Sequence, residues 1–287
     1  MSVPASIWQP PRRRLTLGLI VVVLAGAFES LAVATVLPLS SQQLGDLQLY
    51  GWAFSAFMLT NLVGITLGGY QSDQRGPAVP FVTGTLLFVA GLAASGLAPS
   101  MAALVAGRAL QGIGAGLLSS SAYAAIALAY AVEQQPRMLA TISSAWVLPG
   151  LLGPGVAGLV ASHASWRWVF LGLVPLPLIA CMLALPALRA LGAGAKADAA
   201  MHGTAGAARI RLALQLGLGA SAALASLGLR RLEFALPLLV ASIPVTAHAL
   251  RRLLPAGTLP VGRAFRPRWP VWPCSRLRSS GRKRSCR

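Results

Sequence analysis

The sequence predicts an all-α polytopic membrane protein, and three observations lead to this fold class. Of the 287 residues, 56% are hydrophobic and only 10% are charged, and the mean hydropathy is +0.69. The apolar residues gather in runs of about twenty, the length at which one helix crosses a bilayer. Most of the 24 basic residues lie between these runs or in the C-terminal tail, as the positive-inside rule expects.

Composition and spacing argue against other classes. A formal net charge of +18 would ordinarily suggest a nucleic-acid partner, but the position of the basic residues favours a membrane protein without one. The three cysteines and three histidines share no metal-binding or catalytic spacing. We therefore expect no metal site, no cofactor and no enzymatic activity.

The distribution of apolar and basic residues divides the chain into five parts. Residues 12–14 are consecutive arginines, which should hold the N-terminus in the cytoplasm. The predicted parts are a cytoplasmic segment 1–14, a six-helix transmembrane bundle 15–188, a cytoplasmic linker 189–211, two further transmembrane helices 212–250 and a basic, disordered tail 251–287.

Short polar turns separate the six spans of the bundle. A longer polar connection at 40–49 should be extracellular, and the turn at 71–77 should be cytoplasmic. The predicted spans are residues 15–39, 50–70, 78–97, 101–131, 138–161 and, after an outer turn at 162–167, a sixth that continues to 188.

Arg108 lies inside the apolar run 101–131. An intramembrane guanidinium is expensive unless it faces protein or a water-filled cavity, so it indicates a functional site. Helical spacing puts Gly112, Ala115 and Ser119 on the same face, which is small enough for a neighbouring backbone to approach closely. The alternative is a buried arginine that only fixes helix packing.

The first span carries Glu29, and depth relates this residue to Arg108. At about 1.5 Å per residue, both lie at roughly the same level of a membrane core about 30 Å thick. We expect Glu29 and Arg108 to face one cavity and to be coupled, either as an ion pair or as a proton-sensitive couple. The alternative is a protonated, hydrogen-bonded Glu29 without that partner.

The fifth span contains two prolines among glycines. Pro149 and Pro154 remove backbone hydrogen bonds and weaken the helix in its middle, which membrane helices tolerate when neighbours cover the freed groups. Together with Gly153 and Gly158 they form a predicted conformational hinge. The alternative is a tight helix crossing, and both interpretations can hold at once.

Several segments together resemble the major facilitator superfamily, specifically its drug:proton antiporters of the fourteen-helix type. Residues 108–116 match the fourth-helix motif, residues 153–158 are similar to the fifth-helix antiporter motif, and residues 166–170 fit the start of the sixth helix. The resemblance covers about residues 15–190 well. It implies that Arg108, together with Glu29 and Gln111, forms a site for proton coupling beside the cavity.

The inner loop between the second and third spans resembles the same family in part. Gly69, Asp73 and Gly76 match its loop motif, whereas basic residues are expected where this chain has Gln74, Pro77 and Ala78.

The resemblance implies two six-helix halves that rock about a midplane site. This sequence predicts the N-terminal half plus about two further helices, after which the resemblance is truncated. The basic tail that follows has two alternative explanations, translation in a shifted frame or a polybasic segment that binds lipid.

We expect a multi-pass transporter of small molecules in the bacterial inner membrane, driven by protons in drug or metabolite efflux. Its predicted partners are the substrate, protons, the bilayer, and a second copy or the missing half. The alternative is a non-transporting fragment, or a half-transporter that needs a second copy.

Overall fold

The computed structural model describes residue 8, residues 10–195 and the isolated positions 215 and 244. Over the described ranges the chain is helical, with eight α-helices and one short 3₁₀ helix at Leu47–Leu49. The α-helices are α1 Pro10–Leu44, α2 Tyr50–Arg75, α3 Ala78–Gly96, α4 Met101–Ala129, α5 Gln135–Ser144, α6 Val147–His163, α7 Trp166–Leu173 and α8 Pro175–Ala195.

Six helical segments within the described residues are long and apolar enough to cross a membrane. Four of them are single helices, α1 to α4, while α5 with α6 and α7 with α8 each make one further span. The predicted six-helix bundle is therefore confirmed as an all-helical, membrane-spanning architecture. The two further predicted spans, the tail and the linker beyond residue 195 lie outside the described residues.

Two helices extend beyond their predicted ends. The polar stretch at Ser40 and Ser41 stays in α1, and both hydroxyls are satisfied within the helix by donating to the backbone carbonyls of Leu37 and Pro38 at 2.8 Å. The outer connection therefore shrinks to residues 45–49. At the other end, α8 continues to Ala195, beyond the predicted 188, through residues rich in alanine, the strongest helix former.

Helix α4 lies between α2 and α3, and glycines make both contacts close. On the α2 side, Gly112 and Gly116 lie against backbone atoms of Phe57 and Asn61. On the α3 side, Gly114 lies against the backbone of Phe88. Close backbone approach through small residues is the usual way in which membrane helices associate, and here it fixes α4 in the middle of the described bundle.

The fifth and sixth spans are each broken into two helices. Trp146 donates its backbone N–H to Ser143 at 3.2 Å, in a tightened turn between α5 and α6. The break falls four residues before Pro149, whose ring clashes with the carbonyl of residue 145 and which has no N–H to bond it. The sequence predicted weakening in the middle of the span, whereas the structure breaks it earlier and keeps Pro154 inside α6.

Polar contacts tie the helices together at the end of the bundle where α1 stops and α7 begins. Trp166 Nε1 donates to Gln43 Oε1 at 2.8 Å, which joins the start of α7 to the end of α1. Arg167 Nη1 donates to the carbonyls of Gly96 and Ala98 at 3.3 and 2.8 Å, and so satisfies carbonyls that the end of α3 leaves without helical partners. These ends of three helices are thereby fixed to one another.

A second set of contacts joins α1 to the α4–α5 turn at the opposite end of the bundle. Arg12 Nη1 donates to Gln134 Oε1 at 2.8 Å, and the Thr16 and Tyr130 hydroxyls are also 2.8 Å apart. Burial raises the pKa of Tyr130 above its ordinary value, although the hydrogen bond with Thr16 and the positive charge of Arg12 act in the opposite direction. The first turns of α1 are thus part of the packed bundle.

Candidate functional site

Arg108 on α4 and Glu29 on α1 form an ion pair in the interior of the bundle. The Arg108 Nη1 donates to Glu29 Oε1, and the two side chains are 3% and 1% exposed. The structure thus brings together the two charges whose depths matched in the sequence. Because both groups are removed from water, loss of either partner would leave an uncompensated buried charge.

Three further groups surround the guanidinium of Arg108. Its Nη1 donates to Gln111 Oε1 at 2.9 Å, and its Nε donates to the backbone carbonyl of Ala53 at 3.3 Å. The Arg108 Cζ also lies 4.2 Å from the centre of the Phe57 ring, within the range of a cation–π interaction. Arg108 therefore stays partnered by α2 and by its own helix in addition to the carboxylate.

The carboxylate of Glu29 is bound through only one of its oxygens. Gln111 Nε2 donates to Glu29 Oε1 at 3.4 Å, so Oε1 accepts from both neighbours on α4. The other oxygen, Oε2, is buried and has no hydrogen-bond partner among the described residues. A buried, unpaired carboxylate oxygen is an unusual arrangement that calls for an explanation, and Oε2 is the atom to which a proton could be added without displacing Arg108.

The backbone of α3 brings Gln111 into this arrangement. Gly91 packs on it so closely that an added Cβ would lie 2.5 Å from the Gln111 nitrogen and 2.9 Å from its Cγ. A larger residue at 91 would push α4 away from α3 and disturb Gln111 and Arg108 together. The three polar side chains are therefore held by helix packing as well as by their mutual hydrogen bonds.

Two cavities lie beside the ion pair without including it. The first, of about 170 Å³, has Gly26, Ala115, Ser119, Tyr123, Ser143 and Trp146 in its wall. The second, of about 370 Å³, is apolar and includes Phe28, Pro149, Leu152 and Trp168. Neither cavity is lined by Glu29, Arg108 or Gln111. That the pair faces a cavity therefore stays a prediction; in this structure the Phe57 ring and the close α2–α4 contact lie beside the guanidinium.

The predicted hinge residues divide between two faces of α6. Pro149 and Gly153 are buried, and an added Cβ at Gly153 would lie 3.4 Å from the Leu31 Cβ of α1. Pro154 is exposed, and an added Cβ at Gly158 would meet no atom within 4 Å in the described part of the chain. Pro149 and Gly153 therefore lie on the buried side of α6, and Gly153 belongs to its contact with α1.

The predicted inner-loop residues lie at the end of α2. Gly76 has a positive φ of 79° and ends the helix, and an added Cβ there would lie 2.7 Å from the Gly192 Cα of α8. Gly76 is thus required both by the turn and by a close approach. Asp73 is exposed, and Gly69 faces open space within the described residues.

Sequence reasoning missed several residues that the structure places around the site. The Phe57 ring and the Ala53 carbonyl contact Arg108, and Tyr123 and Trp146 line the smaller cavity. Phe57 lies in an apolar helix with many similar residues, so the sequence alone carries no signal for it. Trp146 stands shortly before Pro149, and that spacing could have indicated a tryptophan at a helix break.

Comparison with known proteins gives consistent matches. The sequence profile of the Major Facilitator Superfamily matches residues 17–272. The multidrug transporter protein MdtP of Bacillus subtilis (strain 168) is 29% identical over 172 residues, which are 60% of this chain and 32% of the relative. A probable multidrug-efflux transporter of Mycobacterium tuberculosis (strain CDC 1551 / Oshkosh) is 32% identical over 178 residues, 60% of this chain and 38% of the relative.

The matched regions cover about a third of the length of these two relatives. Among solved structures, the partially occluded inward-open conformation of the xylose transporter XylE from E. coli is similar to this one. The TM-score is 0.55 at 17% identity, and the match covers 84% of this chain and 66% of that chain. The likeness to XylE concerns the fold alone.

Proposed function

Because this chain belongs to the Major Facilitator Superfamily, we propose that it is a transporter that exports hydrophobic or cationic small molecules against an inward flow of protons. The names of two relatives, a multidrug transporter protein and a probable multidrug-efflux transporter, support transport of drugs and, for the second, efflux. The chain is a multi-pass membrane protein, and we place its N-terminus in the cytoplasm of a bacterial cell because of the arginines at 12–14.

The observation that carries the proposal is the buried ion pair with its unpartnered carboxylate oxygen. A proton that binds Glu29 Oε2 forms an O–H bond there and neutralises the carboxylate. Arg108 keeps its positive charge and still donates to Oε1, but it then faces a neutral carboxyl group and has only the neutral partners Gln111, the Ala53 carbonyl and the Phe57 ring besides it. Because an uncompensated buried charge costs free energy, protonation favours a rearrangement of α1 against α4, and loss of the proton on the other side of the membrane restores the pair.

The break between α5 and α6 gives this rearrangement a place to occur. Gly153 lies against Leu31 of α1, the helix that carries Glu29, and Pro149 is buried on the same helix as Gly153. We propose that α6 turns about residues 145 and 146 when α1 moves, so that Pro149, Gly153, Pro154 and Gly158 act as one bending segment. Gly69, Asp73 and Gly76 are proposed to form the inner end of the same moving bundle.

The test is dye accumulation in everted membrane vesicles that contain the chain, with proton release recorded in parallel. We expect substrate-induced proton release from the wild type and its loss to near background in Glu29→Gln and in Arg108→Ala. Matched controls are Glu133→Gln and Arg137→Ala, which make the same changes at exposed positions of the inner turn and should keep wild-type activity.

Full activity in both Glu29→Gln and Arg108→Ala would contradict the role of the ion pair. Dye transport without proton release in the wild type would contradict proton coupling but keep the transporter. If the wild type moves no dye in vesicles that hold the folded protein, transport by this chain alone is contradicted. Cross-linking in membranes would then decide whether a second copy is required.

A further inference from the structure

The smaller cavity lies one helical turn away from the ion pair on two helices at once. Gly26 precedes Glu29 by three residues on α1, and Ala115 follows Gln111 by four residues on α4. At about 1.5 Å per residue, the cavity begins roughly 5 Å from the level of the pair. Since α1 runs outward and α4 runs inward from the outer turn, both offsets point towards the inner side of the membrane.

Two aromatic side chains stand in the wall of this cavity instead of packing in the core. Tyr123 on α4 is 59% exposed, and Trp146 at the α5–α6 break is 50% exposed. The interruption that Pro149 causes places Trp146 outside the regular helical spacing of either helix. The break in the fifth span therefore has a local effect, which is to present an indole ring to the cavity.

Each of these rings has a hydroxyl group about one helical turn away in the same wall. Ser119 precedes Tyr123 by four residues, and Ser143 precedes Trp146 by three. The Ser119 hydroxyl donates to the Ala115 carbonyl at 2.9 Å, which leaves its oxygen able to accept a hydrogen bond. The residues that line the cavity include no charged side chain.

The size and the chemistry of the cavity define what it can hold. Cavities of about 150 Å³ bind one benzene-sized molecule, and this one has a volume of about 170 Å³. Aromatic rings prefer offset or edge-on contact with other rings, and Trp and Tyr faces also attract cations. We infer that this cavity is a substrate subsite that binds one aromatic ring of a transported compound against Trp146 and Tyr123, with Ser119 and Ser143 as partners for a polar substituent. The inference rests on the proposed transport function.

The consequence is selectivity for aromatic over aliphatic lipophilic cations. The test uses two such cations, tetraphenylphosphonium and tetrapentylammonium, with the full chain in proteoliposomes. We expect Trp146→Ala to raise KM for tetraphenylphosphonium about five- to tenfold and to change KM for tetrapentylammonium less than about twofold. Trp146→Phe should restore most of the wild-type KM. Trp168→Ala, which removes an equally exposed tryptophan at the other cavity, is the matched control and should leave both values unchanged.

Equal changes for the two cations, or no change for either, would overturn the inference while leaving transport intact. If the wild type transports neither cation, the proposed function fails, and the subsite is then tested by a binding measurement. The affinity for tetraphenylphosphonium is obtained from its quenching of tryptophan fluorescence. A several-fold weaker affinity of Trp146→Ala than of Trp146→Phe supports the subsite, and equal affinities contradict it.

Discussion

The glycines of α4 and three of the four glycines of α6 occupy opposite environments, although both helices belong to segments long and apolar enough to cross a membrane. In α4 every glycine touches the backbone or a side chain of α2 or α3, at Gly107, Gly112, Gly114 and Gly116. In α6 an added Cβ would meet no atom within 4 Å among the described residues at Gly150, Gly155 and Gly158. The same residue type therefore marks a close contact in one helix and an uncovered face in the other, and only the neighbouring helices decide which.

The largest expected difference between the two regions comes from a bulky side chain. Gly114→Leu forces a side chain between α4 and the backbone of Phe88, and overpacking of this kind costs about 3 kcal/mol or more. We expect the variant to lose its monodisperse peak in size-exclusion chromatography after detergent extraction. Gly155→Leu, the same substitution on the uncovered face, should elute like the wild type. Similar behaviour of the two variants would show that the α3–α4 contact is not close in the membrane.

The ion pair lies in the tightly packed region, and its loss should have the next largest effect. Arg108→Ala leaves Glu29 buried without its partner, which costs about 3–5 kcal/mol, so we expect a clear decrease in the Tm of the detergent-solubilised protein. Combination with Glu29→Gln should recover part of this loss, because the orphaned charge is then also removed. Arg137→Ala at an exposed position is the control. A double variant no more stable than Arg108→Ala alone would argue against direct coupling.

The smallest expected effect comes from replacing glycine by alanine, which should raise the Tm in α6 and lower it in α4. Gly150→Ala adds a methyl group in open space, and alanine is more favourable than glycine in a helix by about 1 kcal/mol. The Tm should therefore rise slightly. Gly114→Ala gains the same helix propensity but places its methyl group against the backbone of α3, so its Tm should fall. Equal signs in the two melting curves would contradict the contrast between α4 and α6.

The sequence was sufficient for the six spans and for the matching depths of Glu29 and Arg108. Hydropathy over about twenty residues reports membrane crossing directly, and the rise of about 1.5 Å per residue makes the depth of a charge calculable. Both predictions depend on one coordinate, the distance along the membrane normal. This coordinate is set within each helix and showed that the two charges could meet, whereas the contact itself also needs α1 to lie beside α4.

The enclosure of the pair could not be predicted, because it depends on how helices approach each other sideways. Phe57 covers the Arg108 guanidinium because Gly112 lets α2 come close to α4. The location of the break in the fifth span was missed for a related reason. The sequence offered Pro149 and Pro154 as equivalent candidates for the position where the helix weakens. In the structure Pro149 lies on the buried side of α6, next to the break, and Pro154 does not.

The acceptor that Ala53 offers to Arg108 is a main-chain oxygen. Substitutions at position 53 do not remove that carbonyl, so they can weaken the bond only by moving the backbone. Because Ala53 is fully buried, a larger side chain there would do so by pushing α2 away. Arg108 therefore reports the position of the α2 backbone and not the chemistry of the side chain at 53.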